Sequence, residues 1–138
     1  MPTIRRGGPG DLEAVAEIQA ASPEASGWEA TAYLNQDFRV AVCENHVAGF
    51  LAGRAVAEDE REVLNLAVAE RFRRRGIGRA LMRSFLEGFR GTVYLEVRES
   101  NRAARTFYKS LGFQEITIRP GYYKAPEEAA IVMKFHSC

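Results

Sequence analysis

The chain is poor in several things that would have pointed elsewhere. In 138 residues it holds two cysteines, Cys43 and Cys138, and two histidines, His46 and His136. Neither pair has metal-ligand spacing, so no metal site is expected. A functional disulfide is not expected in a reducing compartment either. No apolar run approaches the ~18 residues needed to cross a bilayer. Met1-Pro-Thr-Ile-Arg5 opens no apolar leader segment, so the expectation is a cytoplasmic protein without membrane partners. Net charge is also scarce: 19 basic against 18 acidic residues leave +1, a balance that argues for no particular partner. Repeats, low-complexity tracts and linkers are missing too. With 46% hydrophobic and 27% charged residues, the composition is globular rather than disordered. The length suits one domain, residues 1–138.

The charge is uneven where it matters. Arg71, Arg73, Arg74, Arg75, Arg79 and Arg83 fall within thirteen residues. They follow an apolar run at residues 63–69 and frame Arg73-x-x-Gly76-x-Gly78, after which a helical pattern begins. Two glycines at such a junction let backbone approach a ligand with no Cβ in the way. The first N–H groups of the helix have no partner within it, and with the helix dipole they suit a phosphate or diphosphate. Three patterns compete. A P-loop needs Gly-x-x-x-x-Gly-Lys-Ser/Thr, which the chain does not contain. A dinucleotide fingerprint needs a third glycine where Leu81 stands. The third is Gln/Arg-x-x-Gly-x-Gly/Ala, which Arg73, Gly76 and Gly78 match. Here the chain resembles the GNAT acetyltransferase superfamily, whose loop of this form holds the diphosphate of coenzyme A. The resemblance implies a single-domain GNAT-like fold and acetyl-CoA as cosubstrate. It places cofactor contacts at the strand end Leu66, Ala67 and Val68, and at Arg73, Arg74, Arg75, Gly76, Ile77, Gly78, Arg79 and Ala80. A solvated helix start or a nucleic-acid patch is the competing reading of the arginines, and neither gives the glycines a role.

Periodicity supplies the elements. Residues 3–5 read as a strand. Pro9-Gly10-Asp11 turns into a helix with Leu12, Val15, Ala16 and Ile18 on one side, stopping near Ser22-Pro23. Residues 28–34 read as a short helix. Residues 38–43 and 47–56 read as a hairpin around Glu44-Asn45. Residues 63–69 form the next strand. Ile77, Leu81, Phe85 and Phe89 mark a helix by their four-residue spacing, which Gly91 ends. A strand at 92–98, a helix at 101–111 capped by Gly112, and strands at 113–118 and 130–135 complete the chain. Strand, helix, strand over residues 63–98 implies a parallel pair. The rest reads as antiparallel, giving an α/β fold: a central mixed α+β sheet flanked by helices.

A second block carries chemistry. Asn101 is a good N-cap, and helical spacing puts Asn101, Ala104 and Tyr108 on one face, with Phe107 and Leu111 toward the core. Glu96 alternates with Leu95 and Val97 and so faces the side of Tyr94. Leu95-Glu-Val-Arg-x-Ser-Asn101, Tyr108-x-Ser-Leu-Gly-Phe113 and Tyr122-Tyr123 resemble the RimI family of ribosomal-protein alanine N-acetyltransferases, with Ala129 where that pattern carries Asp. The resemblance implies Glu96 as general base, Tyr108 as general acid for the departing thiolate, and Asn101 as a CoA contact. The chemistry is consistent. An α-amino group has a pKa near ~8, far below the ~10.4 of lysine, so one carboxylate suffices to deprotonate it. A strand N–H near Val68 is a candidate oxyanion donor.

Each residue also has a plainer reading. Glu96 could pair with Arg98 or Lys109 as an exposed strand residue, and Tyr108 could be a core aromatic. Tyr122 and Tyr123 either line the acceptor cleft or sit in a turn. Trp28 is a cleft wall or core. Asn65 stands where some enzymes of this fold carry a base, a role asparagine cannot fill. Cys43 and His46 lie across a turn with no third orienting group, so direct transfer is expected rather than an acyl-enzyme. The acceptor is a protein N-terminus in the first reading and a small amine in the second. A non-catalytic CoA-binding sensor is a third reading, and nucleic-acid binding a fourth.

Overall fold

The computed structural model describes residues 2–22, 28–124 and 127–137. Seven strands are hydrogen-bonded in the order β1-β2-β3-β4-β5-β7-β6: β1 (Thr3–Arg6), β2 (Asp37–Cys43), β3 (His46–Ala57), β4 (Glu60–Val68), β5 (Gly91–Arg98), β6 (Gln114–Lys124) and β7 (Glu127–Ser137). The helices are α1 (Leu12–Ala20), α2 (Ile77–Leu86) and α3 (Arg102–Ser110). The chain forms two compact units, residues 1–54 with 64–88, and residues 55–63 with 89–138.

In the first unit β1 and β3 both run antiparallel to β2. The β2–β3 turn places Glu44 and Asn45 at φ 54° and 62°, the left-handed pair that matches the twist of a two-residue hairpin. Residues 48–53 of β3 are buried without interruption, so the strand reads as an apolar run rather than an alternation. Val15 and Ile18 of α1 join Tyr33, Phe38, Val40, Phe50, Ala52 and Ala67 in one core cluster; each Val, Ile or Phe among them contributes about 1.5–3 kcal/mol on removal from water. Ala16 is exposed, because the buried stripe of α1 runs through Val15 and Ile18 and Ala16 lies about 200° round the helix from Ile18. Helix α2 buries Ile77, Leu81, Met82 and Phe85 and packs on β1 and β2. Arg39 of β2 clamps it by donating to the Ser84 carbonyl and, at 2.7 Å, to Ser84 Oγ.

In the second unit β4 and β5 pair in parallel from Glu60↔Thr92 to Val63↔Leu95. β5 and β6 both run antiparallel to β7. Asn101 accepts from the Ala104 N–H at 3.1 Å and caps α3, and Gly112 at φ 105° follows the helix end.

Several boundaries differ from expectation. The fourth apolar position of the helix, Phe89, lies outside α2: Gly88 at φ 73° breaks the helix first, and the Phe89 ring packs under Arg61 at 4.2 Å. β4 begins three residues early, because Glu60-Arg61-Glu62 pair with β5 although their charges hide the pattern. The segment expected as helix from Trp28 is a 3-10 turn, Ala30–Asn35. Tyr122 and Tyr123 lie within β6, past a register shift between Arg119 and Tyr123. On α3 the buried ring is Tyr108, while Phe107 and Leu111 are half-buried. Pro23 and Cys138 lie outside the described residues.

Candidate active site

The first unit holds the loop that joins β4 to α2. Leu66-Ala67-Val68 end β4, beyond the ladder that stops at Val63↔Leu95. The Ala69 N–H donates to Ala48 O at 2.8 Å, tying the strand end to β3. Gly49 makes this approach possible: a Cβ there would stand 3.0 Å from the Ala67 carbonyl oxygen and 3.3 Å from Ile77 Cγ2 and Val68 Cγ2. The expectations gave Gly49 no role, and its position inside an apolar strand run is the signal that was available. A 3-10 turn, Glu70–Phe72, then buries Phe72 as the anchor of the loop. The guanidinium groups of Arg71 and Arg75 lie over that ring at 4.5 and 5.2 Å.

Arg74 and Gly76 both take left-handed backbone, at φ 65° and 77°. Such a conformation in a non-glycine residue is uncommon and marks a constrained segment. Gly76 is the N-cap of α2 and offers no side-chain cap. The first intrahelical bond runs from the Ala80 N–H to Gly76 O at 3.0 Å. The N–H groups of Ile77 and Gly78 therefore precede the helical ladder, at the positive end of the helix dipole. A Cβ on Gly76 would meet nothing within 4 Å, so open space adjoins this turn. Left-handed glycine, unladdered N–H groups and free volume together fit a diphosphate.

The arginines divide. Arg73 folds back, its Nε donating to Val68 O at 3.2 Å and its Nη2 to Ser22 Oγ at 3.4 Å; it braces the loop against the strand end. Arg75 donates to Glu44 Oε2 at 2.6 Å, which holds the Glu44 carboxyl below its ordinary range. Asn65 is buried in a polar network: its Nδ2 donates to Tyr33 Oη at 2.9 Å and to Gln19 Oε1 at 3.3 Å, and its Oδ1 accepts the Leu66 N–H at 3.1 Å. Its work is to shape β4. Trp28 is partly exposed, and its carbonyl accepts from Gln19 Nε2 at 2.5 Å.

The second unit holds the titratable groups. Along β5 the residues Gly91, Val93, Leu95 and Val97 are buried, and Thr92, Tyr94, Glu96 and Arg98 form the other face. Glu96 accepts from Arg119 Nη1 at both oxygens, 3.0 and 3.2 Å. The partner is thus an arginine of β6, rather than Arg98 or Lys109: Arg98 pairs with Glu128 at 3.3 Å and Lys109 with Glu115 at 3.5 Å. Burial pushes the Glu96 carboxyl up; Arg119 opposes the rise and Glu62 adds to it. The Arg119 guanidinium also lies 4.3 Å over the Tyr122 ring, and Arg98 lies 4.3 Å over Tyr123. The two tyrosine rings meet edge-on at 5.1 Å. Glu96, Arg119, Tyr122 and Tyr123 therefore form one patch, in which burial raises the Tyr123 phenol to about 12, with a further push from the Glu96 charge.

Tyr108 is packed against Phe107 and Phe113, centroids 5.4 and 5.7 Å away. Burial raises its phenol well above the ordinary tyrosine value. Among the described residues its hydroxyl makes no hydrogen bond, yet no buried side-chain oxygen is left unpartnered. The residue as a whole is 8% exposed. Asn101 spends its Oδ1 on the helix cap, which leaves the amide N–H groups for any ligand contact. No grouping of three His, Cys, Asp or Glu side chains able to hold a metal is found among the described residues. No helix there is long and apolar enough to cross a membrane.

Residues 12–113 match the sequence profile of the Acetyltransferase (GNAT) family. A [ribosomal protein bS18]-alanine N-acetyltransferase of Salmonella typhimurium is 38% identical over 133 residues, covering 89% of each chain. Among solved structures, Ard1 from Thermoplasma volcanium superposes with a TM-score of 0.87 at 32% identity, over 99% of this chain and 98% of that one. The ribosomal-protein-S18-alanine N-acetyltransferase of Escherichia coli superposes with a TM-score of 0.81 at 31% identity, over 99% and 94%.

Proposed function

The chain belongs to the GNAT acetyltransferase family, and from that premise we propose that it transfers the acetyl group of acetyl-CoA to the α-amino group of a protein N-terminus, the alanine of a bS18-like ribosomal protein foremost. The enzyme class follows from the family; the donor and the acceptor are the reading offered here. The observation that carries the donor is the left-handed Gly76 at the start of α2, with open space where a side chain would stand. The acceptor is supported by the relatives named for bS18 alanine acetylation.

Bound acetyl-CoA supplies a thioester carbonyl whose sulfur can leave. The chain's residues do the rest. The N–H groups at Ile77 and Gly78 hold the diphosphate, and Arg73 fixes the loop that presents them. The Val68 N–H is assigned to the carbonyl oxygen as it gains charge. Glu96 takes the proton of the incoming ammonium, and its raised pKa brings it closer to that of an α-amine, which improves the match between base and acid. Tyr108 is assigned to the leaving sulfur. Because burial holds the phenol far above the ~8.5 of a thiol, proton transfer from it is uphill. It therefore stabilises the thiolate as a hydrogen-bond donor before the proton is fully passed. Tyr122 and Tyr123 line the acceptor side beside Glu96. Ala129 is half-buried on β7, and its carbonyl accepts the Glu99 N–H at 3.0 Å.

The test is to incubate the protein with acetyl-CoA and peptides beginning with Ala, Ser or Met, alongside small polyamines and aminoglycosides, and to follow free thiol. Turnover with Ala- or Ser-starting peptides, blocked by prior N-terminal acetylation, is expected. Turnover confined to the small amines would overturn the acceptor assignment. Tight CoA binding without any turnover would show a sensor.

A further inference from the structure

The base proposed above already has a cation on it. Arg119 Nη1 bridges both oxygens of Glu96, while its guanidinium lies 4.3 Å over the Tyr122 ring. The two partners differ in exposure: the Glu96 side chain is 18% exposed and that of Arg119 is 53%. An arginine cannot give up its proton in the working pH range, so it can neither supply nor take one here. An α-ammonium group carries the same charge and donates hydrogen bonds to the same kind of oxygen. The place it needs in order to be deprotonated is the place that Arg119 holds.

We infer that Arg119 is a displaceable latch: in the free enzyme its guanidinium stands in for the acceptor ammonium at Glu96, and the acceptor enters by exchanging with it. This rests on the reading of Glu96 as base. Arg119 holds the Glu96 oxygens only in the free enzyme and leaves them before the proton moves, so it is a positioning residue. Exchange keeps a cation on the carboxylate throughout, so Glu96 never stands buried and uncompensated. Tyr122 gives the departing guanidinium a ring face along which to move outward. The latch also times the basicity. The charged or titratable groups facing Glu96 are Glu62 from β4, and Arg119 and Tyr123 from β6. The residue opposite on β7 is Val132, which carries no charge, and the flanking groups on β5 are Tyr94 and Arg98. Once Arg119 has been exchanged, the cation on the carboxylate is one that can give up its proton, with burial and Glu62 still favouring the protonated acid.

The experiment compares wild type with Arg119→Gln and Arg119→Lys, using a synthetic Ala-starting peptide and acetyl-CoA across the pH range. An ion pair exposed on one side is worth a fraction of a kcal/mol up to about 1 kcal/mol, so Arg119→Gln is expected to lower the peptide KM roughly two- to fivefold. In kcat/KM, which reports the free enzyme, the acid limb moves to higher pH by roughly half a unit. kcat changes far less than KM, and Arg119→Lys restores both parameters toward wild type. In a Glu96→Gln background, Arg119→Gln changes neither KM nor the pH profile. A peptide KM that is unchanged or raised, with the acid limb unmoved, overturns the latch. If Glu96→Gln by itself abolishes the acid limb while Arg119→Gln leaves it in place, only the latch fails. If Glu96→Gln leaves the wild-type profile intact, the base assignment fails and the latch with it. CoA affinity, unchanged in every variant, confirms that the fold is intact.

Discussion

Gly76 and Gly88 form a matched pair for testing the loop. Both take left-handed backbone, at φ 77° and 73°, and at both a Cβ would meet nothing within 4 Å. Alanine at either position therefore adds no clash and carries only the backbone penalty of an L residue in that region, about 1–2 kcal/mol. For a chain of 138 residues each kcal/mol is worth about 3–5 °C in Tm, so both variants should melt lower by similar amounts. They should part in ligand binding. The open space beside Gly76 is assigned to the diphosphate, whose oxygens need close approach to backbone N–H groups. A methyl group there displaces them, and a loss of at least about tenfold in acetyl-CoA affinity, or ~1.4 kcal/mol, is expected. Gly88 lies at the other end of α2, so Gly88→Ala should leave affinity unchanged. The assay is thermal melting of both variants without ligand, followed by calorimetric titration with acetyl-CoA. Equal affinities for the two alanine variants, with equal destabilisation, would refute the assignment of the loop.

Other outcomes follow from the same structure. Tyr108→Phe should keep the ring packing against Phe107 and Phe113 and leave acetyl-CoA affinity intact, while kcat falls toward the lower end of acid-catalytic effects, roughly a hundredfold; an unchanged kcat removes the phenol from the mechanism. Glu96 has a raised pKa, so it is protonated and idle below a value above the ordinary ~4.3. Glu96→Gln should therefore lose roughly a hundredfold between that value and the amine pKa, and less above it, where the neutral amine needs no base; a loss independent of pH counts against the role. Asp11 accepts from both Arg5 nitrogens and from the Gly8 N–H, each at 2.8 Å, and Arg5 first among these holds its carboxyl below the ordinary range. Its contribution to stability is thus present above the ordinary ~3.9 and lost as pH falls through the lower folded value. Asp11→Asn should cost about 1–2 kcal/mol at neutral pH in denaturant melts and progressively less as pH falls through the lowered folded value; a loss independent of pH would contradict this.

What the sequence revealed depended on how local the signal was. The loop was legible because glycine spacing, arginines and the start of a helical period lie within a few residues of one another. The N-cap at Asn101 and the hairpin turn at Glu44-Asn45 were legible for the same reason. Phe89 kept the four-residue spacing but belongs with the second unit, under Arg61 of β4: one left-handed glycine, Gly88, outweighs a fourth matching residue. The start of β4 was missed because Glu60-Arg61-Glu62 carry no apolar alternation, and only their pairing with residues 92–94 makes them strand. The partner expected for Glu96 was Arg98 or Lys109, whereas Arg119 comes from β6, twenty-three residues away. Such a pairing is decided by sheet order, which no local pattern encodes. Gly49 has the same character, since its need for no side chain comes from the approach of Ala67 and Ile77.

The most direct measurement is a calorimetric titration of the protein with acetyl-CoA, paired with melting at saturating ligand. Binding at a single site should appear, weakened at least about tenfold in Gly76→Ala, and ligand at a hundred times its Kd should add about 2.7 kcal/mol of stability. No heat and no thermal protection would contradict the role given to the turn between β4 and α2, and with it the donor on which the proposed transfer depends.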